Sequence, residues 1–197
     1  MRKLVFFLGG AGAGKTTLAK AVARRSGAAL FDMDTLLRPA AVALMTQAGL
    51  DPSDRDSAEY KKLCRDLGYR ITMDAALENI GIGNDAFVIG PFTKETEAPE
   101  WIERELASIG VSLGDVDVKV IFVSLQVERL YFERIVGRGS ELDQWKLDHW
   151  NDFSRSLGKR ELSWPLPAES VLSYDNSEPL GTETIDALER FIYGTSV

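Results

Sequence analysis

The chain has 197 residues, of which 45% are hydrophobic and 27% charged, and its formal net charge is -7. This length and apolar fraction suit one globular domain with a full core. The acidic balance argues against non-specific binding to nucleic acid or an anionic membrane, since both need a positive surface. One cysteine, Cys64, excludes an intrachain disulfide and a cysteine-rich metal site, and points to a reducing cytoplasm.

Leu4-Val5-Phe6-Phe7-Leu8 is a continuous apolar run, the pattern of a strand buried on both faces. Arg2 and Lys3 before it and Ala11-Gly12-Ala13 after it imitate a secretory signal. The apolar run is too short, because such a segment needs roughly 7–15 residues. No other run approaches the ~18 of a membrane span, so a soluble, unprocessed chain is expected. The run leads into Gly9-Gly10-Ala11-Gly12-Ala13-Gly14-Lys15-Thr16, which fits G-x-x-x-x-G-K-[ST] at every fixed position. Glycines allow φ > 0, so successive N–H groups can turn inward around an anion. The helix that follows, 15–25, points its positive end at the same spot. Gly10, Ala11, Gly12, Ala13, Gly14, Lys15, Thr16 and Thr17 are therefore the expected nucleotide-binding residues. Lys15 would reach the β- and γ-phosphates, and the Thr16 hydroxyl would ligate Mg2+.

A second buried strand is expected at Ala28–Phe31. It runs into Phe31-Asp32-Met33-Asp34, whose alternation sets both carboxylates on one side of an extended backbone. That is the carboxyl edge of the sheet, where α/β proteins bind ligands. Asp34 also suits the N-cap of a helix starting at Thr35-Leu36-Leu37. Tyr60, Leu63, Cys64, Leu67 and Ile71, followed by Met73, Leu77 and Ile80, have helical spacing, with Cys64 in the apolar stripe. The third strand, Ala86–Ile89, ends in Gly90-Pro91-Phe92-Thr93-Lys94 with no aspartate. A helix is expected around Trp101, Ile102, Leu106 and Ile109, and a fourth strand at Val118–Val123.

Residues 128–162 are charged, rich in tryptophan and lack a buried strand. Arg134 and Arg138 lie four apart, on one face if a helix persists. Arg129 belongs to the same run, and Glu128, Glu133 and Glu141 could equally lace that face with surface ion pairs. His149 is the only histidine, too isolated for a metal cluster or a Ser-His-Asp hydrolase. Trp145, Trp150 and Trp164 read as packing residues. The last strand, Ser170–Tyr174, leaves through Asp175-Asn176-Ser177, which is turn chemistry. Ile185, Leu188 and Ile192 mark the final helix. Strands alternating with helices imply βαβ units and a mostly parallel sheet, an α/β fold.

With these features the chain resembles the P-loop kinases of small molecules, among them shikimate and gluconate kinases, chloramphenicol phosphotransferase and the nucleoside monophosphate kinases. The resemblance implies the P-loop nucleoside triphosphate hydrolase fold over 1–197, with a five-stranded parallel sheet in the order 2-3-1-4-5, helices on both faces and a helical lid. It implies an acceptor-binding helical segment at 36–80, offering Arg38, Gln47, Arg55, Tyr60, Lys61, Arg65 and Arg70, and a lid at 128–162. By the same resemblance, Asp32 with Thr16 would hold Mg2+. Asp34 would orient the acceptor hydroxyl and take its proton. Arg38, Gly90, Pro91 and Thr93 would border the acceptor. Arg134 and Arg138 would join Lys15 in neutralising the transferring group. Many such kinases carry an arginine just before an aspartate in the lid; here Leu142 precedes Asp143, so Arg138 or another group must serve. Asp175 and Asn176 would run along the adenine of ATP. No Asn-Lys-x-Asp is present to indicate guanine.

The expected activity is transfer of the γ-phosphoryl group of ATP, with Mg2+, to a hydroxyl of a sugar, nucleoside, antibiotic or metabolite. The chain would work in the cytoplasm as a monomer or homodimer, with a small-molecule substrate and no nucleic-acid or membrane partner. The rivals are a nucleoside monophosphate kinase, a toxin-like kinase acting on a sugar nucleotide, and a regulatory ATPase acting through a protein partner. The absent strand-end aspartate counts against the last.

Overall fold

The strands β1 (Arg2–Leu8), β2 (Ala29–Asp32), β3 (Ala86–Gly90), β4 (Val116–Ser124) and β5 (Val171–Asp175) form one parallel sheet in the order β2-β3-β1-β4-β5. This architecture comes from a computed structural model, which describes residues 1–158 and 160–194. Between the strands run α1 (Lys15–Ser26), α2 (Met33–Gln47), α3 (Ala58–Tyr60), α4 (Asp66–Gly81), α5 (Thr93–Glu97), α6 (Trp101–Ala107), α7 (Glu128–Arg138), α8 (Gln144–Asp148) and α9 (Trp150–Arg155), and α10 (Thr182–Tyr193) follows β5. The expected fold class and strand order are both observed. Among the described residues no helix is long and apolar enough to cross a membrane.

β1 is central because it has nothing to offer water. Leu4 through Leu8 are fully buried. Leu4, Phe6 and Leu8 point into one core with Leu37, Met45, Cys64, Met73, Leu77 and Ile102 from α2, α4, α6 and the turn between α3 and α4. Val5 and Phe7 point the other way, onto Leu18 and Val22 of α1 and Leu188 and Ile192 of α10. Each fully buried side chain of this size contributes about 1.5–3 kcal/mol of transfer free energy, so this strand holds both layers together.

Two helical runs depart from what the sequence suggests. α2 begins at Met33, not Thr35, and its cap is Asp32, whose side chain accepts the N–H of Asp34. Asp34 thus lies in the first helical turn and is neither a cap nor part of an extended strand. The run 58–81 also departs from its expected stripe. Residues Lys61–Arg65 form one wide π turn, and the buried line runs Tyr60, Cys64, Gly68, Thr72, Ala76 and Ile80, while Leu63 and Leu67 face outward. Wide turns of this kind recur at functional sites; here it carries Lys61 and Arg65 to a cleft.

An aromatic knot holds the end of β3. Trp101 and Trp164 stack at 5.2 Å with Phe6 edge-on to both, and Phe92 packs against Phe6, Tyr69 and Trp101. Phe92 is buried with φ 43 and ψ 44, the left-handed conformation a bulky residue rarely adopts. Its carbonyl accepts both the N–H and the hydroxyl of Thr96. Only a glycine fits at position 90, since a Cβ there would come within 2.8 Å of the Phe92 ring. The Gly90-Pro91-Phe92 bend is thereby fixed as a rigid wall at the carboxyl edge of the sheet.

Candidate active site

The carboxyl ends of β1, β2 and β3 open into a cavity of about 1190 Å3. The phosphate-type loop forms its floor. Gly9 (φ 147) cannot carry a side chain, because a Cβ would lie 2.2 Å from the Val123 carbonyl. Gly14 (φ 94) caps α1 in the left-handed region, and a Cβ there would meet the Asn176 amide at 2.2 Å. These backbone turns bring the loop amides and the start of α1 to the cavity.

Lys15 donates to the Gly10 carbonyl at 2.8 Å. Burial pushes its ammonium down to about 8; Arg160 and Arg138 push the same way, while Asp34 and Asp32 oppose them. An anion bound in the loop would restore the charge. Linkage then sets a direction: above pH 8 the free protein must gain a proton to bind a polyphosphate. ATP affinity measured by calorimetry is expected to fall about tenfold between pH 7 and pH 9. A flat profile would mean that Lys15 stays charged in the empty site.

The Thr16 hydroxyl donates to the Asp32 carboxylate at 2.9 Å. A hydroxyl and a carboxylate side by side beneath a phosphate loop fit a Mg2+ that takes its remaining oxygens from phosphates and water. Among the described residues no group of three or more His, Cys, Asp or Glu could hold a metal without such help.

Asp34 projects into the cavity from α2 and is paired with Arg55 at 2.5 Å. Burial would raise its carboxyl, but the Arg55 guanidinium, by charge and hydrogen bond, with Lys15 and Lys146, holds it below the usual carboxylate range. Arg55 in turn donates to the Tyr60 hydroxyl. Lys146 of α8 bridges Asp56 at 3.3 Å and Asp143 at 3.2 Å, and Arg138 also meets Asp143 at 3.4 Å. The 54–57 loop is thereby tied to the segment at 141–148 across the opening. Leu157 lies over Gly10, close enough that a Cβ there would sit 2.6 Å from it.

Most of the expected site residues converge. Gly10, Ala11, Gly12, Gly14, Lys15, Thr16, Thr17, Asp32, Asp34, Arg38, Gly90, Pro91, Thr93, Arg134, Arg138 and Asn176 all line the cavity, as do Arg55, Tyr60, Lys61 and Arg65. Ala13 is buried beneath the loop, its carbonyl accepting the Asn176 amide at 2.8 Å. Asp175 stays outside: its carboxylate is taken by Ser177 and Gln126, which shapes the turn. Arg134 spans the phosphate loop and that turn, donating to the carbonyls of Asn176 (2.7 Å) and Ala13 (3.5 Å). Gln47 does not line the cavity, and Arg70 turns away to pair with Asp74 and Glu105. Arg129 pairs with Glu133 on the surface. His149 stacks on Trp145, Trp150 packs on Phe132 and Phe153, and Trp164 is core.

Sequence reasoning missed Arg160, Arg155 and Lys146, which also line the cavity. Arg160 is partly buried and donates to the Pro91 carbonyl at 2.6 Å. It lies in an extended segment without periodicity, and no local pattern marks it.

No protein-family model matches the chain, and no curated protein matches its sequence. Solved structures do match. A candidate kinase from Chloroflexus aurantiacus J-10-fl is 16% identical with a TM-score of 0.68, over 97% of this chain and 98% of that one. An unliganded sugar kinase from Janibacter sp. HTCC2649 is 19% identical with a TM-score of 0.58, over 98% and 96%. A gluconokinase from Sinorhizobium meliloti 1021 is 16% identical with a TM-score of 0.51, over 98% and 93%. The chain therefore has the fold of the P-loop small-molecule kinases, along essentially its whole length.

Proposed function

We propose that the protein is a kinase that transfers the γ-phosphoryl group of ATP to a hydroxyl of a small molecule, acting as a single domain over 1–197. One observation carries this reading: Lys15 and the phosphate-type loop share a cavity with Asp34, near enough for Asp34 to influence the charge of Lys15. The volume also supports it. At about 1190 Å3, the cavity exceeds the roughly 300–1,000 Å3 of a one-ligand pocket and suits a nucleotide beside a second molecule.

In this reading the loop amides and Lys15 hold the polyphosphate, with Thr16 and Asp32 as the protein's ligands to Mg2+, which supplies charge neutralisation when bound. Asn176 and the turn after it border the base, and Arg134 clamps that turn to the loop. Residues 36–80 and the Gly90–Thr93 wall hold the acceptor. Asp34 orients the acceptor hydroxyl and takes its proton as the oxygen bonds to the γ-phosphorus and the bond to the β-phosphate oxygen breaks, leaving a phosphate ester and ADP. Arg138, with Arg160, faces the charge on the transferring group. Residues 128–162 act as a lid that keeps water from replacing the acceptor. The buried, unpaired Cys64 accords with a cytoplasmic protein. The test is an ATP-consumption screen over sugars, nucleosides, aminoglycosides and small hydroxy compounds with Mg2+. Turnover with one class supports the reading, and absence of any ATP affinity overturns it.

A further inference from the structure

Asp143 stands at the start of α8, yet its side chain caps no helix N–H. That side chain is only 7% exposed, and an unpaired charge so sheltered would be strongly destabilising. Each of its oxygens instead meets a different cation. Oδ2 faces Arg138 at 3.4 Å, and Oδ1 faces Lys146 at 3.2 Å.

The two cations look to opposite halves of the cleft. Burial lowers the Lys15 ammonium, and Arg160 and Arg138 add to the effect, so the Arg138 charge is felt at the phosphate-type loop. Asp34 is held low against its burial by Arg55, Lys15 and Lys146, so the Lys146 charge is felt on the acceptor side. The Lys146 ammonium also crosses the opening. It donates to Asp56 at 3.3 Å and to the Leu142 carbonyl at 3.3 Å. Ion pairs in full solvent contribute little. Lys146 and Asp56 are only 15% and 20% exposed, so this bridge is mostly withdrawn from water, and losing one partner leaves the other sheltered and unpaired.

Arg138 needs such a fixture. It lies between Gly137 and Gly139 at the end of α7. A Cβ at position 137 would meet nothing within 4 Å. No close approach requires glycine there, and glycine within a helix loosens it. The Arg138 side chain is half-exposed, and its acid partner is Asp143.

We propose that Lys146 and Asp143 are positioning residues for phosphoryl transfer: Lys146 clasps the lid to the acceptor loop at Asp56, and Asp143 passes that fixed point on to Arg138 at the transferring group. This deepens the kinase reading above and rests on it. An acceptor that orders the 54–57 loop thereby also fixes the guanidinium on the nucleotide side, and the cleft is completed only when both substrates are in place.

Two readouts test the clasp. The first is amide hydrogen exchange in the ligand-free protein, read over 57–61 and 143–149. Lys146→Met and Asp56→Asn are each expected to speed exchange in both stretches about tenfold or more, although Asp56 and Lys146 are 90 residues apart. Lys146→Arg is expected to keep the parental rates. The second readout is kinetic, with Mg-ATP and the acceptor that the ATP-consumption screen selects. Asp143→Asn is expected to lower kcat about 10–10²-fold, with KM for the acceptor changed less. Arg138→Gln is expected to lose a similar factor, and the double variant no more than the worse single one, because Asp143 acts through Arg138. Losses that multiply in the double variant overturn the inference, as does faster exchange confined to 143–149. Parental exchange in Lys146→Met, in a protein that binds and turns over ATP, sinks the clasp alone. Coupled exchange without any ATP affinity sinks the kinase reading and keeps the clasp. Where the screen selects no acceptor, exchange decides. Should Asp143→Asn unfold, as circular dichroism would report, Asp56→Asn at the far end of the clasp takes its place in the kinetic comparison.

Discussion

Replacing Lys15 by methionine is expected to lower phosphoryl transfer by at least about 10³-fold while the chain stays folded. One preorganised donor aimed at developing charge is worth about 10²–10³ in rate, and Lys15 adds a full charge in a partly buried cleft. The fold has little reason to suffer. Among the described residues the ammonium donates only to the Gly10 carbonyl, which also accepts the Ala13 N–H at 3.3 Å. Burial has lowered the lysine's pKa to about 8, so at neutral pH the charged form is less comfortable folded than unfolded. For such a group the unfolded chain binds more protons between pH 8 and the ordinary lysine value, and stability rises with pH across that window. Methionine keeps the stem and removes the buried charge. The melting temperature of Lys15→Met is therefore expected to equal or exceed that of the parent at pH 7, with ATP affinity strongly reduced. A variant that turns over at the parental rate removes the basis for the kinase reading; one that unfolds shows that the loop depends on the Gly10 contact.

The architecture was legible because its signals are local. Leu4–Leu8 reads as buried on both faces and is. The glycines, Lys15 and Thr16 make a loop whose conformation depends on residues adjacent in sequence. The five strands and the order 2-3-1-4-5 follow from apolar runs and from the resemblance those runs carry. What escaped depends on local geometry that the residue pattern does not mark and on contacts distant in sequence. Asp34 was expected on an extended backbone; Asp32 caps α2 and starts the helix early, so the second carboxylate reaches the cleft from a helical turn. The wide turn at Lys61–Arg65 follows from no residue type, and it puts Leu63 and Leu67 outside. Arg160 matters only because the chain returns past Pro91, a separation of 69 residues. Arg134 and Asp175 were read as ligand contacts from the resemblance, yet their hydrogen bonds largely serve the turn at 175–177.

Asp34→Asn separates a base from a counter-ion. If the carboxylate takes the acceptor proton, the isosteric amide should cut kcat by about 10²-fold or more with KM little changed, since general-base contributions are of that order. Structure should be preserved, because Asp32, not Asp34, caps α2. The lost pair with Arg55 is open to solvent on the Asp34 side, where ion pairs contribute at most about 1 kcal/mol. The pH profile adds a second readout. Burial favours the neutral acid, but Arg55 and then Lys15 and Lys146 outweigh it, so the carboxyl is held low and ionised throughout the neutral range. The parent protein should thus keep its rate well into the acid side before Asp34 protonates, and Arg55→Gln should move that acid limb upward by removing the charge that holds it down. Full activity in Asp34→Asn would leave the carboxylate only as the partner that keeps Arg55 in position. In that case Arg55→Gln, not Asp34→Asn, should carry the loss of turnover.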